Sequence, residues 1–166
     1  AVLSAPPPLP FAPPVGKTPN IVKDRASEML LRERRKRLAL RSLVFFAAYY
    51  FRTDKGKDFD FRPFHVEIME LAEDEAGTPL ALFLEPASFG KSTLLAKIYA
   101  IWKAIRDPNE RGALGGKTHD DAVRRLRSIK AELETNGLLI EDFGPFVGDV
   151  WKEDQINLRG RTSTAK

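Results

Sequence analysis

Pro79-Leu80-Ala81-Leu82-Phe83-Leu84, then Glu85-Pro86-Ala87-Ser88-Phe89-Gly90-Lys91-Ser92-Thr93, then Leu94 to Arg106, is the stretch on which the reading of the chain turns. The apolar run 79–84 has the length of a buried strand. The loop after it ends in Gly-Lys-Ser-Thr, and a helical pattern begins at once. Strand, loop and helix in that order are the context of a phosphate-binding loop. Backbone N–H groups of such a loop converge with those of the first helical turn, and the helix dipole adds positive potential there. Lys91 would reach the β- and γ-phosphates of a nucleotide. Ser92 would offer its hydroxyl to Mg²⁺. The usual pattern starts with Gly, where this chain has Glu85. A Gly there turns without a Cβ, and Pro86 takes over part of that task by fixing φ.

Outward from the loop, the helix to Arg106 carries Leu94, Leu95, Ile98, Ile101, Trp102 and Ile105, apolar over most of its girth as if packed on a sheet. Residues 111–116 read as a weak second strand. Thr118 then caps a helix with Asp121 three residues on. Its buried stripe is Ala122, Val123, Leu126, Ile129 and Leu133, and Gly137 suits the C′ position just past its end. This order predicts an α/β fold: a P-loop NTPase parallel sheet flanked by helices, with an N-terminal helical arm. Residues 150–158 read as two short strands around a turn. Leu138-Leu139-Ile140-Glu141-Asp142 imitates the acidic strand that holds Mg²⁺ in such ATPases, but its apolar run is three residues long and Phe143-Gly144-Pro145 breaks it. We therefore expect no water-polarising acid from it.

Upstream, Arg52 to Phe61 reads as a charged loop. A helix follows with Pro63 in its first turn, ending near Gly77. Arg62 and His65 open that helix and are candidates to grip the base of a nucleotide. A surface Arg and a helix-start His without such a role is the competing reading. Residues 1–20 hold seven of the twelve prolines and read as a disordered arm. Residues 21–52 read as a helical arm, one helix that starts near Asp24 or Ser27 and runs to about Phe51, basic first and apolar last. Between Ile21 and Leu43 stand eight basic and three acidic residues. The run Arg32 to Arg37 places its cations all round a helix, so it is expected to project from the core. It would meet DNA phosphates or an acidic face of a neighbouring subunit. Residues 53–166 make up a partial P-loop ATPase domain.

Composition sets outer bounds. The 166 residues suit about one domain. There is no cysteine, so no disulfide framework and no thiolate metal site. The net charge of +4 permits a nucleic-acid partner without demanding one. No apolar run approaches the ~20 residues of a membrane span, and the N-terminus lacks the order of a signal peptide. The ends of the sequence suggest a piece of a longer chain.

The ordered set Phe61-Arg62-Pro63-Phe64-His65, Pro86 to Thr93, Lys117-Thr118 with Ala122, Ile129-Lys130 with Leu133-Glu134 and Asn136, Asp142-Phe143-Gly144, and Trp151 with Ile156 and Arg161 resembles the ATPase domain of the large terminase subunit of tailed bacteriophages. The resemblance covers about residues 40–166. It implies ATP and Mg²⁺ as cofactors and a hydrolase coupled to DNA packaging. Lys91 would be catalytic, and Pro86, Ala87, Ser88, Phe89, Gly90, Lys91, Ser92, Thr93, Arg62 and His65 would contact nucleotide, with Ser92 at the metal. It further implies double-stranded DNA, a homo-oligomeric ring, the portal protein and the small terminase subunit as partners, in the host cytoplasm and not secreted. In that family the acidic strand, coupling motif and nuclease domain follow beyond Lys166, so this stretch alone is expected to hydrolyse ATP slowly or not at all. Ala87 and Ser88 stand where terminases carry Arg and Gly in the loop. The rivals are another P-loop enzyme, such as a helicase or small-molecule kinase, and a nucleotide- or DNA-binding module without hydrolysis.

Overall fold

A computed structural model describes residues 21–53, 56–74, 90, 92–107 and 111–160. The chain runs through α1 (Ile21–Arg41), α2 (Leu43–Tyr50) and α3 (Pro63–Glu73). A wide, π-type helix Ser92–Tyr99 continues without a break into α4 (Ala100–Arg106). Then come α5 (His119–Thr135), α6 (Gly137–Phe143), and the strands β1 (Val147–Trp151) and β2 (Ile156–Leu158).

The single helix expected over 21–52 is two. Ser42 takes an extended conformation (φ −132°, ψ 116°), and its hydroxyl accepts from the Phe45 N–H at 3.2 Å. The Glu73 carboxylate of α3 accepts from the Leu43 N–H. A serine that competes for backbone donors makes a good cap and a poor helix interior. The break lets the apolar octet of α2 turn into the protein. There Leu43, Phe46, Ala47 and Tyr50 are buried, with Phe51 behind them.

α2 lies at the centre of the core. α3 packs on it and brings Met69 to the core, the π-helix packs on it and brings Leu94 and Ile98, and α4, against α1, adds Ile101 and Trp102. The Trp102 Nε1–H donates to the Ala39 carbonyl at 2.8 Å, which ties α4 to the last turns of α1. α5 starts where expected: the Thr118 hydroxyl accepts from the Asp121 N–H at 3.2 Å. It ends as expected too, with Gly137 at C′ one residue past the Asn136 cap, but Gly137 is also the first residue of α6, so no loop separates the two helices. The Asn136 side chain caps α6 at the Leu139 N–H (3.2 Å) and donates to the Tyr50 carbonyl (2.7 Å), so one residue starts a helix and joins it to α2.

The parallel P-loop sheet is a correction. Among the described residues the only sheet is the antiparallel pair β1–β2, with Val147 opposite Leu158 and Trp151 opposite Ile156. It follows the helices rather than lying between them. A Cβ at Gly148 would collide with the Asn157 carbonyl, so glycine is needed where the register of β1 is irregular. Residues 111–116, expected as a strand, have no strand partner among the described residues. The expected strand 79–84 lies outside the described residues. The physical reason is plain in the core: the apolar faces that the sequence assigned to a sheet are covered by other helices, the π-helix by α2, α3 and α5, α4 by α1, and α5 by the π-helix and α6. Periodicity tells that a face is buried, not what buries it.

Candidate functional site

Two places bear on function. The first is the corner where α3 begins and the Gly-Lys-Ser-Thr helix starts. Arg62 is extended (φ −81°, ψ 159°) and Pro63 occupies the first helical position, where its missing N–H costs no bond. The Arg62 N–H donates to His65 Nδ1 at 3.0 Å. A ring that accepts at Nδ1 carries its proton, when neutral, on Nε2. Phe64 and Phe61 hold the imidazole, at 4.0 and 6.3 Å between ring centres. Nε2 faces Gly90: a Cβ there would stand 3.6 Å from it. That is ordinary contact, so space does not demand glycine. Backbone does, since Gly90 has φ +78°. The first helical bond of the segment is Leu94 N–H to the Gly90 carbonyl, at 2.9 Å. N–H groups ahead of it come before the intrahelical ladder, as at any helix start.

The sequence candidates are thus distributed as follows. His65 and Gly90 are neighbours although 25 positions separate them in the chain. Ser92 and Thr93 open the π-helix. Arg62 is exposed, and its guanidinium pairs with Asp60 at 2.8 Å rather than with anything at Gly90. Pro86, Ala87, Ser88, Phe89 and Lys91 lie outside the described residues. Lys97, one turn further on, is committed to Glu132 of α5 at 3.0 Å.

The second place is one that sequence reasoning missed. Leu138–Asp142, the false acidic strand, is helical, and the Asp142 side chain is fully buried. Arg35 grips it with two bonds, Nε to Oδ2 and Nη2 to Oδ1, both 2.7 Å. Arg32 Nε donates to Oδ1 at 2.9 Å, and the Tyr50 hydroxyl to Oδ2 at 2.6 Å. Arg35 also lies over the Tyr49 ring, 5.0 Å from its centre. Burial pushes the Asp142 carboxyl up. Hydrogen bonds from Arg35 and Tyr50, the Arg35 charge and the Arg32 bond outweigh it and hold the group below the ordinary carboxylate range. Burial and the bond to Asp142 push the Tyr50 phenol well above its usual value. This corrects the expectation that the whole basic run projects: two of its arginines turn inward. No local signal marks the pair, because Arg35 and Asp142 are 107 positions apart.

The basic face of α5 is likewise occupied. Asp121 holds Arg124 and Arg125, which keep its carboxyl low, with the Arg125 hydrogen bond foremost. Arg127 pairs with Glu153 at 2.8 Å, and Lys130 lies over Trp151. Among the described residues, no helix is long and apolar enough to cross a membrane, and no three His, Cys, Asp or Glu cluster as metal ligands. No protein-family model matches the sequence, and neither curated proteins nor solved structures give a match to it.

Proposed function

We propose that residues 86–93 bind the phosphates of ATP with Mg²⁺, and that the chain is the ATP-binding part of a viral DNA-packaging motor of the terminase large-subunit kind. The observation that supports the nucleotide reading most is Gly90: a left-handed glycine directly ahead of Lys-Ser-Thr and a helix, beside a histidine N–H donor. The corner suits a polyanion, since glycine allows a tight approach and a helix start offers N–H groups that lie ahead of the intrahelical ladder. Lys91 neutralises the β- and γ-phosphates, and Ser92 is the residue for the metal. His65 Nε2–H is placed to donate to the loop or its ligand. Arg62 contributes only if it leaves Asp60. ATP supplies the phosphoryl group and Mg²⁺ the bridging charge; the chain contributes position and donors.

The reading of a motor rests on the resemblance alone. Double-stranded DNA, further copies in a ring, the portal protein, the small terminase subunit and the host cytoplasm come with it. A binding module without turnover is the second reading. It is favoured by Glu85, Ala87 and Ser88 in the loop, and by Asp142, whose carboxylate is wholly engaged by Arg32, Arg35 and Tyr50. Titration of the protein and of Lys91→Ala with a fluorescent ATP analogue tests nucleotide binding. Loss of a charged phosphate contact of about 1.5–3 kcal/mol weakens binding by roughly 10- to 150-fold. Equal affinities would refute the assignment.

A further inference from the structure

The outward face of α1 and the outward face of α3 carry the same pattern with opposite charge. On α1 it is Arg34, Arg37, Leu38 and Arg41; on α3 and its cap it is Glu67, Glu70, Leu71 and Asp74. In both, charges stand at i, i+3 and i+7 and a leucine at i+4, which is one stripe of a helix. All eight residues are exposed, and the leucines notably so, Leu38 at 44% and Leu71 at 47%. The inward side of α1 is a different set, Arg32, Arg35 and Ala39. Among the described residues, no ion pair joins Arg34, Arg37 or Arg41 to a carboxylate, and none engages Glu67 or Glu70. Glu33, the nearest acid to the basic stripe, is drawn to Lys36 at 3.1 Å.

We propose that these two faces dock on each other between copies of this chain, α1 of one against α3 of the next. Each stripe covers about 10 Å of helix at 1.5 Å per residue, so the charges fall at matching heights with a leucine beside the middle one. Like faces repel, which excludes a two-fold contact of α1 with α1 or of α3 with α3. The contact pairs unlike faces, either reciprocally in a two-fold dimer or head-to-tail in a ring or filament. It is argued from exposure and charge and holds whether or not residues 86–93 bind ATP.

The test uses the full chain without nucleotide, by sedimentation velocity. Mass should rise with concentration at about 0.01 M salt and return to that of the monomer at about 1 M, as the Debye length falls from about 30 Å to about 3 Å. Arg34→Glu with Arg37→Glu should leave monomer, and so should Glu67→Arg with Glu70→Arg. Mixing those two variants should restore association, because each then offers the other complementary faces. Circular dichroism checks that both remain folded. A monomer at every concentration overturns the proposal, as does association that neither charge reversal disturbs. Loss of duplex DNA binding by the α1 variant, with no assembly by the parent protein, overturns it in favour of a nucleic-acid face.

Discussion

Replacing Asp142 by Asn removes one charge and leaves the shape of the side chain unchanged. The carboxylate is fully buried and takes four bonds from Arg35, Arg32 and Tyr50. An amide cannot accept both bonds from Arg35: one of its two positions presents N–H to N–H. Breaking one partner of a buried pair costs about 3–5 kcal/mol. The side chains of Arg35 and Arg32 are 23% and 41% exposed, so water reaches the stranded cations and the lower end applies, about 3 kcal/mol. For a chain of this size that is a fall in Tm of roughly 6–12 °C. Arg35→Met should cost less, about 2 kcal/mol, since Arg32 and Tyr50 still hold the carboxylate. Arg32→Ala should cost at most about 1 kcal/mol, as a half-exposed pair does. Urea unfolding of the three variants, with m checked for constancy, gives the order. Hydrogen exchange should show α1 losing protection first, because the cluster fastens it to α6. An Asp142→Asn midpoint within about half a kcal/mol of the parent, or an Arg32 variant as weak as the Arg35 one, would refute the reasoning.

Asp142 titrates below its unfolded value, so its share of stability is complete above about pH 4 and fades as pH falls through the folded pKa; Asp142→Asn should flatten the acid limb of a stability profile. Tyr50 titrates above its unfolded value, so its share is complete below about pH 10 and fades as pH rises beyond, and Tyr50→Phe should flatten the alkaline limb in the same urea series. Trp102→Phe leaves the Ala39 carbonyl without its donor and opens space in the core; calorimetry should show a loss of about 2–4 kcal/mol. Gly90→Ala meets no obstacle in space but a costly φ, and should destabilise by about 1–2 kcal/mol in a thermal melt.

Local chemistry was legible and long-range chemistry was not. Pro63 at a helix start, Thr118 as a cap and the strand pair ending at Leu158 are decided by residues within a turn of one another, and the structure has all three. Ser42 misled because a serine in a helical run is tolerated unless something beyond the run needs the chain to bend; here Glu73 and the buried face of α2 supply that need. The end of α5 at Gly137 was legible, but the second task of Asn136 was not, because the Tyr50 carbonyl that it serves is remote in sequence. The sheet was lost for a deeper reason. Ile98, Ile101 and Trp102 state only that their face is dry, and a helix such as α2 dries it as well as a strand does.

The basic run shows how a single stretch of charge divides its tasks. Five of the six residues from Arg32 to Arg37 are cations, and composition alone treats them as equal. A period of 3.6 separates them. Arg32 and Arg35 come to the side of Ala39 and meet a buried carboxylate, while Arg34 and Arg37 come to the side of Leu38 and Arg41 and meet solvent. The inward pair sets where α1 lies, through Asp142 and the α6 helix that carries it. The outward stripe is then held in one orientation instead of swinging on a frayed helix. An exposed cation on a mobile arm gains little from any partner, since ordering the arm cancels the attraction. The same cation on a helix already fixed from behind has that cost removed, so the buried cluster and the exposed stripe act in sequence: the first makes the second able to bind.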